Sequence, residues 1–335
     1  MKKSVTLKRS PYESAKIAVK RGSLYSEEEL DSLKKLEFEE ILKYMEEHGF
    51  KEPIDTSYLA YEGFYLIEVV LNKYLSLMYG DVMVSSSSQN REFLESYYLK
   101  YQIHNLMALV RCRISNEKDI TPYLIGDNRR QEKYVKAFEM PLEDAIVYIS
   151  KKLKFNETEV LGAYSKGLFD LENYLYAQYY KQIFSFDISY NNSDEHKFRQ
   201  FIQSYIDILN ARAFLKLKVD GIEKISFDDI FVSGGKISRD TFTSFESITN
   251  EEVLEKFSEL FSMKITSFST LDRAFNNHKQ AGSKMFKQIK FGSPFYVLKF
   301  FFELENQITS LRYLLKAKYM KLTDDEIESL MGGNN

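Results

Sequence analysis

Tryptophan is absent from the chain and cysteine occurs once, at Cys112. A lone thiol excludes an intramolecular disulfide, and four scattered histidines supply little material for a zinc site, so the chain suits a reducing compartment. Proline and glycine are scarce, 5 and 14 in 335 residues, which disfavours the many tight turns of an all-β chain and favours long helices. No strong charge excess exists either. With 46 basic and 49 acidic residues the net charge is -3, and the whole chain lacks the electrostatic footprint of a nucleic-acid binder. Long apolar runs are missing too: Phe64 to Leu71 and Pro294 to Phe302 fall far short of a membrane span, and the second contains Lys299. The start, Met1 to Leu7, has basic residues but no apolar stretch behind them, unlike a secretory signal. Any membrane role is therefore expected to be peripheral, from the cytoplasmic side.

What is present is helical periodicity. Leu30, Leu33, Phe38, Ile41, Leu42 and Met45 recur at amphipathic spacing, as do Phe198, Phe201, Ile202, Tyr205, Ile208 and Leu209. Short polar or glycine-bearing segments interrupt the pattern at residues 48–55, 80–89, 190–195 and 232–237, none long enough for a flexible linker between domains. The 24 Tyr and 26 Phe fit broad helix–helix packing.

The helical pattern repeats. Asn105 to Arg113, Asn210 to Lys218 and Ser310 to Lys318 each close on a basic residue, any residue, then a basic residue, at Arg111 and Arg113, Lys216 and Lys218, and Lys316 and Lys318. The first bases of these pairs lie 105 and 100 positions apart. Upstream, Glu68, Glu172 and Asp272 each sit among apolar residues 43, 44 and 44 positions before those bases. Glu40, Asp144 and Glu252 form a third set, 28, 28 and 20 positions before the acids, so the last copy is about two turns shorter there. These spacings predict an all-α chain of three diverged units of roughly 100 residues, with boundaries at 1–115, 116–220 and 221–335. An ion pair inside each unit is the simpler role for the repeated acid and base, fixing the register of two helices; contact with a partner is the other.

No catalytic constellation emerges. Ser233-Gly234-Gly235-Lys236-Ile237 lacks the earlier Gly and the following Ser or Thr of a phosphate-binding loop, and reads as a tight connection that uses positive φ. Asp194-Glu195-His196 and Asp324-Asp325-Glu326 point their side chains to different helix faces, which suits capping, and Thr323 with Glu326 has capping-box spacing. His104 lies two turns before Cys112, too far to activate it, and Cys112 reads as a small buried residue. His48 and His278 suit helix C-termini. No catalytic, cofactor-binding or metal-binding residue is assigned.

The three-unit pattern, the Tyr12 to Leu24 stretch, the Asn-Leu-x-Ala-Leu-x-Arg run at Asn105 to Arg111, the Gly-Gly loop and the closing Glu303 to Lys318 helix occur in a telling order. That order resembles the C-type stalk component of prokaryotic V-type (A-type) rotary ATPases, the counterpart of the d component of the eukaryotic V-ATPase. The likeness spans essentially the whole chain. Position 16 is Lys where that family tends to carry Arg, and Ser310 stands where the other two copies have Asn. The resemblance implies three similar helical subdomains arranged with pseudo-threefold symmetry as a funnel, seated on the membrane rotor ring of proteolipid subunits and receiving the D and F subunits of the central shaft. It implies a non-catalytic coupler of ATP hydrolysis or synthesis to proton or sodium transport, with no direct nucleotide and no nucleic acid. Arg21, Arg111, Arg113, Lys216, Lys218, Lys316 and Lys318 are the candidates for partner contact. A helical scaffold with a protein partner in its concave face, and an all-helical enzyme with an unrecognised site, stay open as alternatives.

Overall fold

A computed structural model describes residues 3–4, 7, 10–187, 192–220, 231–262, 264–265, 284–285, 288–323 and 326–327. The described helices are α1 (Pro11–Arg21), α2 (Glu27–Leu33), α3 (Phe38–Met45), α4 (Lys51–Asp55), α5 (Gly63–Ser85), α6 (Ser88–Ile114), α7 (Asn128–Phe138), α8 (Leu142–Leu153), α9 (Glu157–Lys166), α10 (Leu168–Ser185), α11 (Asn192–Asp220), α12 (Arg239–Thr243), α13 (Asn250–Leu260) and α14 (Tyr296–Tyr319). One extended pairing accompanies them, a parallel match of Lys3 and Ser4 with Phe186 and Asp187. The fold class is all-α, as the periodicity predicts.

Local chemistry sets the helix starts. The Ser10 hydroxyl accepts the Glu13 amide and Pro11 occupies the first turn of α1, where its missing N–H costs nothing. Reciprocal capping boxes open α2 (Ser26, Glu29), α3 (Glu37, Glu40) and α13 (Thr249, Glu252). Thr323 and Glu326 make the same exchange of bonds. At the end of α3, His48 Nδ1 lies 2.7 Å from the Tyr44 carbonyl oxygen, the C-terminal role read for it; His278 falls outside the described residues.

The chain forms two compact units, one of residues 9–158 and 291–335, the other of residues 1–8 and 159–290. They are packing units rather than sequence periods: residues 116–158 follow the first period and pack with it, and α14 joins it from the far end of the chain. In this α14 unit, α14 lies against α5, α1 and α3. Tyr79 stacks on Phe301 with ring centroids 3.7 Å apart and planes within 1°, and Phe50 stacks on Tyr74 at 3.7 Å. The α11 unit has its own core, in which Phe214, Phe242, Phe245, Phe257 and Phe261 enclose Ala211 and Val253.

Two pairs of positions set 105 residues apart do the same work. Asn105 donates Nδ2 to the Ile125 carbonyl (2.7 Å) and accepts the Ile125 amide (2.9 Å); Asn210 does the same with Val232, at 2.9 Å both ways. Both asparagines are wholly buried. Eight residues on, Arg113 donates to the Phe138 carbonyl (2.8 Å) and Lys218 to the Phe245 and Glu246 carbonyls (2.8 and 2.9 Å), so each base caps the end of a short helix, α7 and α12. Positive-φ glycines stand at the head of α5 and just before α10, Gly63 at +55° and Gly167 at +149°. Glu40, Asp144 and Glu252 are each the third residue of their helices, α3, α8 and α13. Asp272 lies outside the described residues.

The asparagine clasp gives a direct test. Asn105→Ala leaves the buried Ile125 amide without its acceptor and the Ile125 carbonyl with the Tyr98 hydroxyl alone (3.3 Å), and urea unfolding should show a loss of about 1–3 kcal/mol. Ser310→Ala, at the third-period position, should change stability by less than ~0.5 kcal/mol.

Candidate functional site

The richest polar constellation runs along α14. Its first turns are apolar and buried, from Tyr296 through Phe302, with Lys299 buried among them. A helix so covered must find partners for its later polar side chains, and it does so on several elements, although the Gln307 Nε2 is buried without a hydrogen bond among the described residues. Glu303 takes the Arg21 guanidinium of α1 in a two-pronged pair (2.5 and 2.8 Å), and Arg21 also donates to the Tyr296 hydroxyl at 2.9 Å. Glu305 accepts Lys100 of α6 on both oxygens at 2.7 Å and the Tyr101 hydroxyl as well, while the Lys100 ammonium sits 4.0 Å over the Tyr97 ring. The Gln307 side-chain carbonyl accepts the Tyr25 amide at 2.7 Å. Arg312 reaches Glu68 (3.0 Å) and Asn72 (3.1 Å) on α5, and Asn72 passes the connection to the Pro122 carbonyl at 3.0 Å. Lys316 closes on the second Glu68 oxygen at 2.6 Å.

Burial opposes ionisation of Glu68, but the attraction of Arg312 and Lys316 and their hydrogen bonds override it and hold its carboxyl below the usual carboxylate range. The two-pronged bond with Glu303 outweighs burial at Arg21 and holds its guanidinium more firmly charged than usual. Tyr101, Tyr98 and Tyr134 are pushed up by burial, the behaviour of phenols packed in a core.

The repeated acid adds to one expectation. Glu68 reaches beyond its own period and pairs with Arg312 and Lys316 of the third, because α14 returns to lie against α5. Arg111 is exposed on α6. Arg113 and Lys218 are engaged as helix caps, Lys318 is half-buried on α14, and Lys216 belongs to α11 with its side chain outside the described residues. Glu172 is half-buried on α10. Of the sequence candidates, the structure thus brings Glu68 and Lys316 into contact, while Arg21 belongs to a separate pair on the same helix. Glu303, Glu305 and Asn72 escaped sequence reading, since nothing local marks a side chain whose partner is some 200–280 positions away.

The chemistry of the seam is fixation: paired ions and hydrogen bonds hold α14 to α1, α5 and α6. Burial pushes the Cys112 thiol up to about 11, so it is protonated at neutral pH. His104 instead places Nε2 3.1 Å from the Tyr123 carbonyl oxygen. Among the described residues no cluster of three metal-ligating side chains occurs, and no helix is long and apolar enough to cross a membrane.

Comparison with known proteins now decides the family. The model of the ATP synthase (C/AC39) subunit matches residues 14–330. The chain belongs to that family. It is similar to the A-type ATP synthase C proteins of Methanococcoides burtonii (22% identity, 98% of this chain and 95% of that one), Methanosarcina mazei (23%, 95% and 91%) and Haloquadratum walsbyi (23%, 97% and 99%). The match takes in the whole α14 seam, so in this C/AC39 chain the seam is part of the family body rather than an appended segment.

Its electrostatics predict a pH signature. A carboxyl with a lowered folded pKa stabilises the fold above its unfolded value of 4.5, and that contribution disappears as pH falls through the folded value. Glu68→Gln should therefore cost about 1–2 kcal/mol at pH 7 in urea unfolding and progressively less below pH ~4.5. Lys316→Met, removing a cation that is one-third exposed, should cost less than ~1 kcal/mol.

Proposed function

We propose that this chain is a non-catalytic rotor subunit that seats the central shaft on the membrane ring of proteolipid subunits, so that ATP hydrolysis or synthesis in the catalytic head and ion movement in the membrane turn as one. The observation that carries the proposal is the family match over residues 14–330, together with A-type ATP synthase C relatives along nearly their whole length. The shaft partners on this reading are the D and F subunits, and the body is three similar helical subdomains forming a funnel. The chain would occupy the cytoplasmic side of the membrane as a peripheral component.

The physical character of the α14 unit supports it. A part that transmits torque must not shear, and α14 is fastened by a two-pronged Arg–Glu pair, a Lys–Glu pair and the Glu68–Arg312–Lys316 triad. Stacked aromatic rings fill the space between these fastenings. Among the described side chains of the candidate set, Arg111 on α6 is the exposed one and is the choice for a partner contact.

Affinity purification of the full-length chain from a membrane extract tests the proposal. The D and F subunits and the proteolipid ring should co-purify, and removing the chain should leave ATP hydrolysis by the head intact while abolishing ion pumping. Recovery of neither shaft nor ring would overturn it. Arg111→Glu should weaken that co-purification at least about tenfold, with circular dichroism checking that the variant stays folded.

A further inference from the structure

The glycine pair singled out in the sequence closes over a buried carboxylate. Asp207 of α11 is 2% exposed, and its Oδ1 accepts the Ile237 amide at 2.9 Å, with the Lys236 amide also bonded to the carboxyl. Gly234 has φ +112°, and a Cβ on Gly235 would stand 2.2 Å from Asp207 Oδ1, so both glycines are needed for the loop to lie on this side chain. On the other side, Gly234 faces the Phe184 ring and the Ile206 side chain. The Lys236 ammonium is the ionisable group acting on Asp207 among the described residues, and it is exposed to water. Among those residues no cation is bonded to this carboxyl in the way that Arg312 and Lys316 are bonded to Glu68.

The sequence periods make the choice of Asp informative. Positions 102, 207 and 307 stand 105 and 100 residues apart, the same offsets as the repeated bases, and hold Gln, Asp and Gln. All three are buried, and each uses a side-chain oxygen as acceptor: Gln102 Oε1 takes the Tyr134 hydroxyl (3.0 Å), Gln307 Oε1 takes the Tyr25 amide (2.7 Å) and Asp207 takes the Ile237 amide. An amide side chain suffices for the bond in two copies. In the second, the acceptor is a group that titrates.

We propose that Asp207 makes the 233–237 loop a proton-sensitive latch, closed over α11 when the carboxyl is protonated and loosened when it ionises. The driving force is desolvation: a carboxylate taken from water into the space between α11, Phe184 and the loop loses hydration that two backbone amides and a solvated lysine do not replace. The closed loop therefore holds its proton up to about pH 6, against 3.8 for an ordinary Asp. A folded value raised above the open-state value means that the closed loop is favoured fully below about pH 4, and that this preference is lost as pH rises to about 6. The latch lies outside the α14 seam and does not depend on the assignment of the chain to a rotor.

Hydrogen exchange on the isolated full-length chain reads it directly. After correction for intrinsic exchange chemistry, the opening of peptides covering residues 231–237 should increase on the order of tenfold between about pH 5 and pH 7 and then level off. Peptides around Ile125, at the corresponding asparagine clasp, should not change. Asp207→Asn, which installs the amide type found at positions 102 and 307, should flatten the profile. Carboxyl NMR of Asp207 in the wild type supplies a measurement without mutation and should show a midpoint near about 6. A midpoint below about 4.5, a pH-independent wild-type loop, or an Asp207→Asn variant with the wild-type profile would each overturn the latch.

Discussion

An apolar helix enclosed on several sides has to satisfy its polar side chains from whatever surrounds it, and α14 sets this condition for the unit around it. From Tyr296 to Phe302 every residue is buried, and burial of each Phe ring supplies about 2–3 kcal/mol of driving force. That force brings the end of the chain back onto α1 and α5. Once it is there, Glu303, Glu305, Gln307, Arg312 and Lys316 are confined beside groups fixed earlier in the chain, and their pairing selects one register. Partly buried ion pairs are weak sources of net stability and good selectors of alignment, because a register that breaks one leaves a charge stranded. Aromatic stacking of Phe301 on Tyr79 provides cohesion, and the charges determine where it acts.

How much of this was legible in the sequence depended on range. The helices and their caps were readable, because Ser26 with Glu29, Thr249 with Glu252 and Thr323 with Glu326 act over three positions. The Asn105 and Asn210 anchors were readable as a recurrence, although their purpose, clasping Ile125 and Val232, required coordinates. The partner of Glu68 was not readable. Its spacing to Arg111 matched its equivalents in the other periods, yet an equal distance along the chain says where two residues recur and not which copy each one meets. Folding α14 against α5 joined the acid of the first period to the bases of the third. Gln102, Asp207 and Gln307 recur at the same offsets, but two of the three are amides, so no charge marks the set.

Repetition in this chain preserves a backbone device more strictly than a side-chain chemistry. At the asparagine positions the third copy carries Ser310, on a helix held by its own ion pairs. At the base positions Arg113 and Lys218 keep one role, capping, with different groups: a planar fork meets one carbonyl, and a flexible ammonium meets two. Elements whose geometry is over-determined can change residue type without loss of position, which is how relatives of 22% and 23% identity retain near full-length correspondence.

The same freedom explains why divergence at Asp207 carries information. If only an acceptor were required at that position, Gln would serve, as it does at 102 and 307. A shorter carboxyl lets the Gly234–Gly235 turn come so close that no Cβ fits at residue 235, which ties the acid and the glycines into one unit of variation. Such closeness excludes the water that would solvate a charge, so the tight turn and the raised proton affinity have a single cause. Glu68 shows the opposite solution to the same problem: where the fold requires an ionised acid, it surrounds that acid with two cations. Asp207 has no such cation bonded to it among the described residues, and a buried acid given amides instead of cations keeps its proton across part of the range in which the other has long lost it.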